Sequence, residues 1–158
     1  MLYNICYAFA KGFFVSRILK FCLTTTDIAF LMYWALAALL ELGVINIPRD
    51  MMYADYDDPR VSAWNWSFFP LDIAFAVAGL TAVRAAHRGD PVWRVLAIVS
   101  LVLTMTAGGM AVAYWTLMGE FFPAWYISNL VLLVWPMFFL PNLLRETAAS
   151  RAAPNPAA

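Results

Sequence analysis

Three acidic residues lie inside long apolar stretches of the sequence, and they are the first candidates for chemistry. Asp27, Glu41 and Asp72 are each surrounded by residues typical of membrane-spanning helices. A charged side chain at that depth is costly unless it is paired, hydrated or neutralised, so intramembrane acids commonly mark ligand, ion or proton sites. Each of the three is therefore a candidate site residue.

Glu41 and Asp72 are predicted to lie at similar depth on neighbouring helices. Glu41 is near the outer end of the first apolar stretch, where the helix dipole disfavours a carboxylate, so it needs a partner, a proton or water. Asp72 follows the aromatic segment "WNWSFFPLDIAF", residues 64–75, a few residues inside the second stretch. Consecutive antiparallel helices would bring the two carboxyl groups into one outer-leaflet pocket.

Polar and aromatic residues at the same level complete this predicted pocket. Aromatic faces attract organic cations, and carboxylates bind their charge. The predicted ligand is a hydrophobic or cationic small molecule or a lipid. The ligand-binding residues predicted from the sequence are Glu41, Asp72, Trp34, Phe75, Tyr114, Asn129 and Asn65.

Structural roles are alternatives for several of these residues. Ser67 can cap the second helix and Pro70 suits its first turn, where the dipole favours a carboxylate such as Asp72. Asp27 follows "TTT" and can likewise mark a helix start. Four other aromatic residues, Trp64, Trp66, Trp125 and Tyr126, are predicted to form an interfacial belt.

Several classes of function are excluded by what the sequence contains. Lys+Arg 10 and Asp+Glu 10 balance, so net charge gives no reason to expect a nucleic-acid partner. The single histidine, His87, lies in the loop "RAAHRGD", which excludes histidine-ligated haem or metal within the membrane. The acidic segment "DYDDP", residues 55–59, lacks EF-hand spacing and is predicted to be a solvated loop. No cofactor and no metal are predicted.

The elements that position these residues are predicted to be membrane-spanning helices. Of the 158 residues, 64% are hydrophobic and only 13% are charged, which is typical of a membrane protein. Four apolar stretches are long enough for the roughly 20 residues that a spanning helix needs. They run from Asp27 to Ile47, Phe68 to Val83, Trp93 to Met118 and Phe121 to Leu143. The predicted fold is an all-α, integral membrane four-helix bundle.

The distribution of basic residues predicts the orientation. In a four-span arrangement most of the lysines and arginines fall on one side, and only Arg49 and Arg60 fall on the other. The positive-inside rule then places both termini in the cytoplasm. Residues 1–22 are predicted to form an interfacial segment, with an overextended start of translation as the alternative. Residues 23–146 form the transmembrane domain, and residues 147–158 a disordered tail.

Two features of the third and fourth helices concern packing. Small residues follow one face of the third helix, where they let a neighbouring backbone approach closely. They are Ser100, Thr104, Ala107, Gly108 and Ala111. Packing inside the bundle is the first interpretation, and a homo-oligomer contact through the Gly108 face is the alternative. Trp135-Pro136 is predicted to kink the fourth helix, because proline removes a backbone hydrogen bond.

The chain from about Thr26 to Arg145 resembles the YvaD-like family of small bacterial four-helix membrane proteins. The resemblance is carried by "TDIAFLMYWALAALLELG", "ADYDDPRVSAWNWSFFPLD" and "NLVLLVWPMFFLPNLLR". It implies four spans in a bacterial inner membrane and implies no catalytic residue.

Three functions follow from these observations. Binding of a small molecule or lipid in the predicted pocket comes first, with membrane lipids as the surrounding partners. An oligomeric transporter or structural subunit comes second, because Asp27 and Glu41 are fourteen residues apart and share a helical face. A membrane-embedded acid–base isomerase or cyclase comes third, so a non-enzymatic function is favoured and the enzyme stays an open alternative.

Overall fold

The computed structural model describes the backbone of residues 2–53 and 55–152, and the side chains of residues 17–49, 51–53 and 55–149. In those ranges the chain is helical and contains no strand. The helices are α1 (Leu2–Glu41), α2 (Pro59–Ser67), α3 (Phe69–His87), α4 (Trp93–Met118), α5 (Pro123–Val134) and α6 (Leu140–Ala152). Short 3-10 helices cover Arg49–Met51 and Trp135–Phe138.

Four helical segments are long and apolar enough to cross a membrane. They are Arg17–Glu41, Pro59–His87, Trp93–Met118 and Pro123–Ala149. Large apolar side chains are exposed on the outside of the bundle, as lipid-facing residues are in a membrane protein. The predicted all-α fold with four spans is confirmed.

The ends of the predicted spans agree with the structure to different degrees. The third span has the predicted bounds of Trp93–Met118. The first was predicted from Asp27 to Ile47, which is wrong, because α1 ends at Glu41 and the candidate span already includes the residues from Arg17 to Thr26. Gly43 ends the helix: its φ of +69° reverses the chain, and the amide of Val44 donates to the carbonyl of Leu39.

The entry to the second span is itself helical. Pro70 and Asp72 lie in the first turn of α3, as predicted. The predicted cap by Ser67 is wrong, because its hydroxyl donates to the carbonyl of Trp64 in the preceding helix, α2. α2 begins at Pro59, the last residue of the segment predicted to be a solvated loop, and its N-cap is Asp58, whose side chain accepts from the amide of Arg60.

The fourth span changes helix type at its internal proline. The 3-10 helix Trp135–Phe138 separates α5 from α6 at the position where a kink was predicted, Trp135-Pro136. α6 continues to Ala152, beyond the predicted boundary at residue 146, and residues 153–158 of the predicted tail lie outside the described residues. α1 is helical from Leu2. The interfacial position of residues 1–22 and the cytoplasmic location of both termini stay predictions.

α4 is the central helix of the bundle. It packs against α3, α5 and α6, while α1 packs against α3. The five small residues of the α4 row are all buried. A Cβ added to Gly108 would lie 2.6 Å from the carbonyl oxygen of Asn129 and 2.8 Å from the amide nitrogen of Leu133. Gly108 therefore lets the backbones of α4 and α5 meet inside this chain, and assembly with a second copy stays a prediction.

Replacing Gly108 by alanine tests this close approach. Gly108→Ala forces the backbone of α5 away and should lower the free energy of unfolding by about 1–3 kcal/mol, despite the better helix propensity of alanine. Gly109→Ala is the matched control, because its Cβ would meet only Leu133 Cδ1, at 3.4 Å. Thermal unfolding in detergent measures both. Equal stability of the two variants would contradict the packing described here.

Candidate functional site

A hydrogen bond between Trp34 and Asp72 joins the first two spans at one end of the bundle. The indole Nε1 of Trp34 on α1 donates to Oδ2 of Asp72 in the first turn of α3, at 3.0 Å. Each residue is only 3% exposed. Because an unpaired buried charge is strongly unfavourable, this bond determines where α3 can lie against α1.

A second hydrogen bond, one residue earlier in α1, holds α2 in place. The hydroxyl of Tyr33 donates to Oδ1 of Asn65, at 3.0 Å. Successive residues on a helix point about 100° apart, so Tyr33 and Trp34 reach different neighbours. The dipeptide Tyr33-Trp34 thus fixes α2 and α3 through one polar contact each.

An aromatic cavity, called here the Asp72 cavity, lies between these elements. It is partly open and has a volume of about 30 Å³. Its walls are the side chains of Phe30, Tyr33, Trp34, Trp64, Asn65, Phe68, Asp72, Ala111 and Trp125. Further rings support the walls: Trp66 and Phe69 each pack against Trp34 with centroids 5.2 Å apart, and Tyr114 stacks on Trp64 at 4.0 Å.

Two fully buried polar atoms of the residues lining this cavity have no hydrogen-bond partner in the described part of the chain. They are Oδ1 of Asp72, an acceptor, and Nδ2 of Asn65, a donor. A cavity of this volume holds a group about the size of one water molecule or an ammonium head. No cluster of three or more metal-ligating side chains occurs among the described residues. The chemistry offered is recognition of a small polar or cationic group within aromatic walls.

Glu41 does not line the Asp72 cavity, which corrects the prediction of one pocket with two carboxyl groups. It is exposed at the end of α1, and its Oε2 accepts from the hydroxyl of Tyr56, at 2.7 Å. Tyr56 stacks on Tyr53 at 4.6 Å and lies beneath the guanidinium of Arg49. Glu41 thus belongs to the loop between α1 and α2, because α1 carries it two turns beyond Trp34.

The other predicted residues lie near the cavity or in its supporting layer. Trp34, Asn65 and Asp72 line it. Phe75 is fully buried behind the wall and meets Phe30 edge to face at 5.0 Å. Tyr114 supports Trp64 from outside, and Asn129 donates from Nδ2 to the carbonyl of Trp125 within α5.

Asp27 is a second buried acid, deep inside the first span. It is 1% exposed, and neither of its oxygens has a hydrogen-bond partner among the described residues. Gly79 on α3 faces it, and a Cβ there would overlap the carboxyl group of Asp27 and lie 2.8 Å from Oγ of Ser100, which is also unpaired. The helix-start interpretation of Asp27 is wrong, because α1 begins 25 residues earlier, at Leu2.

Several residues that line the Asp72 cavity were not predicted from the sequence to bind a ligand. Tyr33, Phe30 and Phe68 were not selected, and Trp64 and Trp125 were assigned to an interfacial belt. The pair Tyr33-Trp34 beside an intramembrane acid was an available signal, since both side chains carry a donor that must find an acceptor when buried. Ala111 gave no such signal, because it contributes only space.

Comparisons with known proteins place the chain in a family. Residues 19–150 match the model of a family of unknown function, DUF5360. The chain belongs to this family. It is 39% identical over 132 residues to the uncharacterized protein YvaD of Bacillus subtilis (strain 168), covering 82% of this chain and 94% of that protein. No solved structure matches. The resemblance to YvaD-like proteins is confirmed, and the membrane-spanning helical bundle described above belongs to a DUF5360 member.

Removing the charge of Asp27 should stabilise the DUF5360 bundle. Asp27→Asn keeps the shape that fits against Gly79 but has no net charge to desolvate, so the free energy of unfolding should rise by about 1 kcal/mol or more. Asp55→Asn is the control, an exposed aspartate with φ of +52°, a conformation that asparagine tolerates. Thermal unfolding measures both variants. Destabilisation by Asp27→Asn would show that Asp27 has a partner that the described contacts lack.

The Tyr56–Glu41 bond should persist to high pH. Tyr56 lies outside the spans, and burial of its hydroxyl together with the bond to Glu41 raises its pKa from 10.0 to about 12. The stabilisation is therefore complete below pH 10 and is lost as pH rises toward 12. Tyrosinate absorbance of the wild type minus that of Tyr56→Phe should give this titration. A difference curve centred near pH 10 would contradict it.

Proposed function

We propose that the protein binds the ammonium head of a small amine in the Asp72 cavity. The observation that supports this most directly is a buried carboxylate with one oxygen held by Trp34 and the other left free beside aromatic rings. A carboxylate in such surroundings gains from a cation that neutralises it, because charge–charge attraction is strong where water is excluded. Aromatic faces attract the same cation.

The size of the cavity restricts the ligand. A volume of about 30 Å³ accepts a primary ammonium group and excludes a quaternary one, unless the packed rings of Trp34, Trp64 and Trp125 move apart. The apolar part of the amine would extend through the open side of the cavity. This proposal narrows the hydrophobic or cationic small molecule predicted from the sequence to amines with a compact head.

The proposed location of the protein is a bacterial membrane, so the amine would bind at a membrane surface. We place it in the cytoplasmic (inner) membrane of a bacterium, because its relative YvaD comes from Bacillus subtilis and the chain has four candidate spans. The positive-inside rule puts the Asp72 end of the bundle in the outer leaflet. The transporter and isomerase alternatives stay predictions.

Methylammonium and tetramethylammonium test the proposal directly. At matched ionic strength, methylammonium should raise the unfolding temperature of the wild-type protein and change its tryptophan fluorescence, because it binds only the folded state. Tetramethylammonium should do neither. Asp72→Asn should abolish the response, since the amide still accepts from Trp34 but lacks the charge.

Asp55→Asn, which removes an exposed carboxylate, should respond like the wild type. Equal responses of Asp72→Asn and the wild type would refute the proposal and leave the cavity as a site for structural water. A response to tetramethylammonium equal to that to methylammonium would refute the proposed size limit.

A further inference from the structure

Three basic side chains lie together at the opposite end of α3 from Asp72. Arg84, His87 and Arg88 are exposed within little more than one turn. Neither of the two ion pairs found between described residues, Arg49–Asp57 and Arg94–Glu146, involves them. Asp90 is the nearest acid in sequence, and one of its oxygens accepts from the amide of Val92. The guanidinium charges of Arg84 and Arg88 are thus available to an external anion.

A groove between α3 and α1 adjoins these charges. It is wide open on the outside of the bundle and has a volume of about 630 Å³. Its walls are Thr24, Leu80, Thr81, Val83, Arg84, His87 and Arg88. The basic residues form the end nearest the helix terminus, while Leu80 and Val83 lie toward the middle of the span.

The helix dipole accounts for only part of this arrangement. Cations are favoured in the last turn of any helix, which explains basic residues at this position. It does not explain why they border a groove whose next part is apolar and whose far wall offers the hydroxyl of Thr24. A charged end followed by an apolar section complements an amphipathic anion lying along the helix.

We propose that this groove binds an anionic phospholipid, with the phosphate at Arg84 and Arg88 and the first part of an acyl chain along Leu80 and Val83. Arginine recognises phosphate oxygens through paired donors, and the hydroxyls of Thr24 and Thr81 can donate to the same headgroup. Arg84 is twelve residues, about 18 Å of helix, from Asp72. The lipid site is therefore independent of the Asp72 cavity and does not rest on the proposed amine binding.

Lipid retention in detergent provides the test. Purified full-length protein would be mixed with phosphatidylglycerol or phosphatidylcholine and examined by native mass spectrometry and thermal unfolding. The wild type should retain phosphatidylglycerol in preference to phosphatidylcholine and be stabilised by it. The double variant Arg84→Gln/Arg88→Gln should bind it at least fivefold more weakly, about fivefold for each arginine that contacts the headgroup.

Two controls separate a specific site from general charge. Arg145→Gln removes one exposed charge outside the groove and should retain wild-type affinity. Arg84→Lys/Arg88→Lys keeps the charge but loses the paired donors, so its affinity should lie between those of the wild type and the double glutamine variant. Circular dichroism should show wild-type helicity for every variant. Equal loss in Arg145→Gln and the double glutamine variant would overturn the proposal. Stabilisation by inorganic phosphate as strong as that by phosphatidylglycerol would also overturn it, in favour of a free-anion site.

Discussion

Burying one carboxyl group beside an indole is the constraint on which the Asp72 end of this bundle depends. Asp72 enters the apolar interior in the first turn of α3, where the helix dipole offsets part of its desolvation cost. The bond from Trp34 satisfies one of its oxygens. Since the indole can reach Asp72 only when α1 and α3 are in this register, the polar contact also specifies the packing. The aromatic rings of α2 then close around it.

The three intramembrane acids predicted from the sequence have three different environments. Glu41 is exposed at the end of α1, where its carboxylate accepts a hydrogen bond from the hydroxyl of Tyr56. Asp72 is buried with one partner, and Asp27 is buried with none among the described residues. A protein keeps a polar group in such surroundings at a cost in stability, and that cost is commonly associated with function. Of the three, Asp72 is the one that lines the aromatic Asp72 cavity with an oxygen free of hydrogen-bond partners among the described residues.

The parts of this structure that the sequence predicted are those set by local chemistry. The bounds of α4 follow from an uninterrupted apolar run that ends at Gly119, and the break at Trp135-Pro136 follows from the missing amide of proline. Asp72 in a first turn follows from Pro70 two residues earlier. These features depend on neighbours in the chain, so pattern alone reveals them.

The features that were predicted wrongly depend on where α1 ends. Gly43 makes α1 end at Glu41, six residues before the apolar run ends at Ile47, which moves Glu41 out of the bundle and Asp27 into its middle. The predicted pairing of Glu41 with Asp72 assumed equal depth on consecutive helices, but α2 separates α1 from α3 in the chain, and its Asn65 accepts from the hydroxyl of Tyr33. Tertiary partners of this kind leave no periodic signal in the sequence.

Nuclear magnetic resonance of the Trp34 indole group gives the most direct test of the central claim. With ¹⁵N-labelled tryptophan, the signal lost in Trp34→Phe identifies this proton. The account predicts a downfield, slowly exchanging indole resonance that shifts when methylammonium is added and loses that response in Asp72→Asn. The buried Trp34–Asp72 bond and the proposed site would be contradicted if the Trp34 indole proton exchanged rapidly with water and its resonance shifted neither with methylammonium nor in Asp72→Asn.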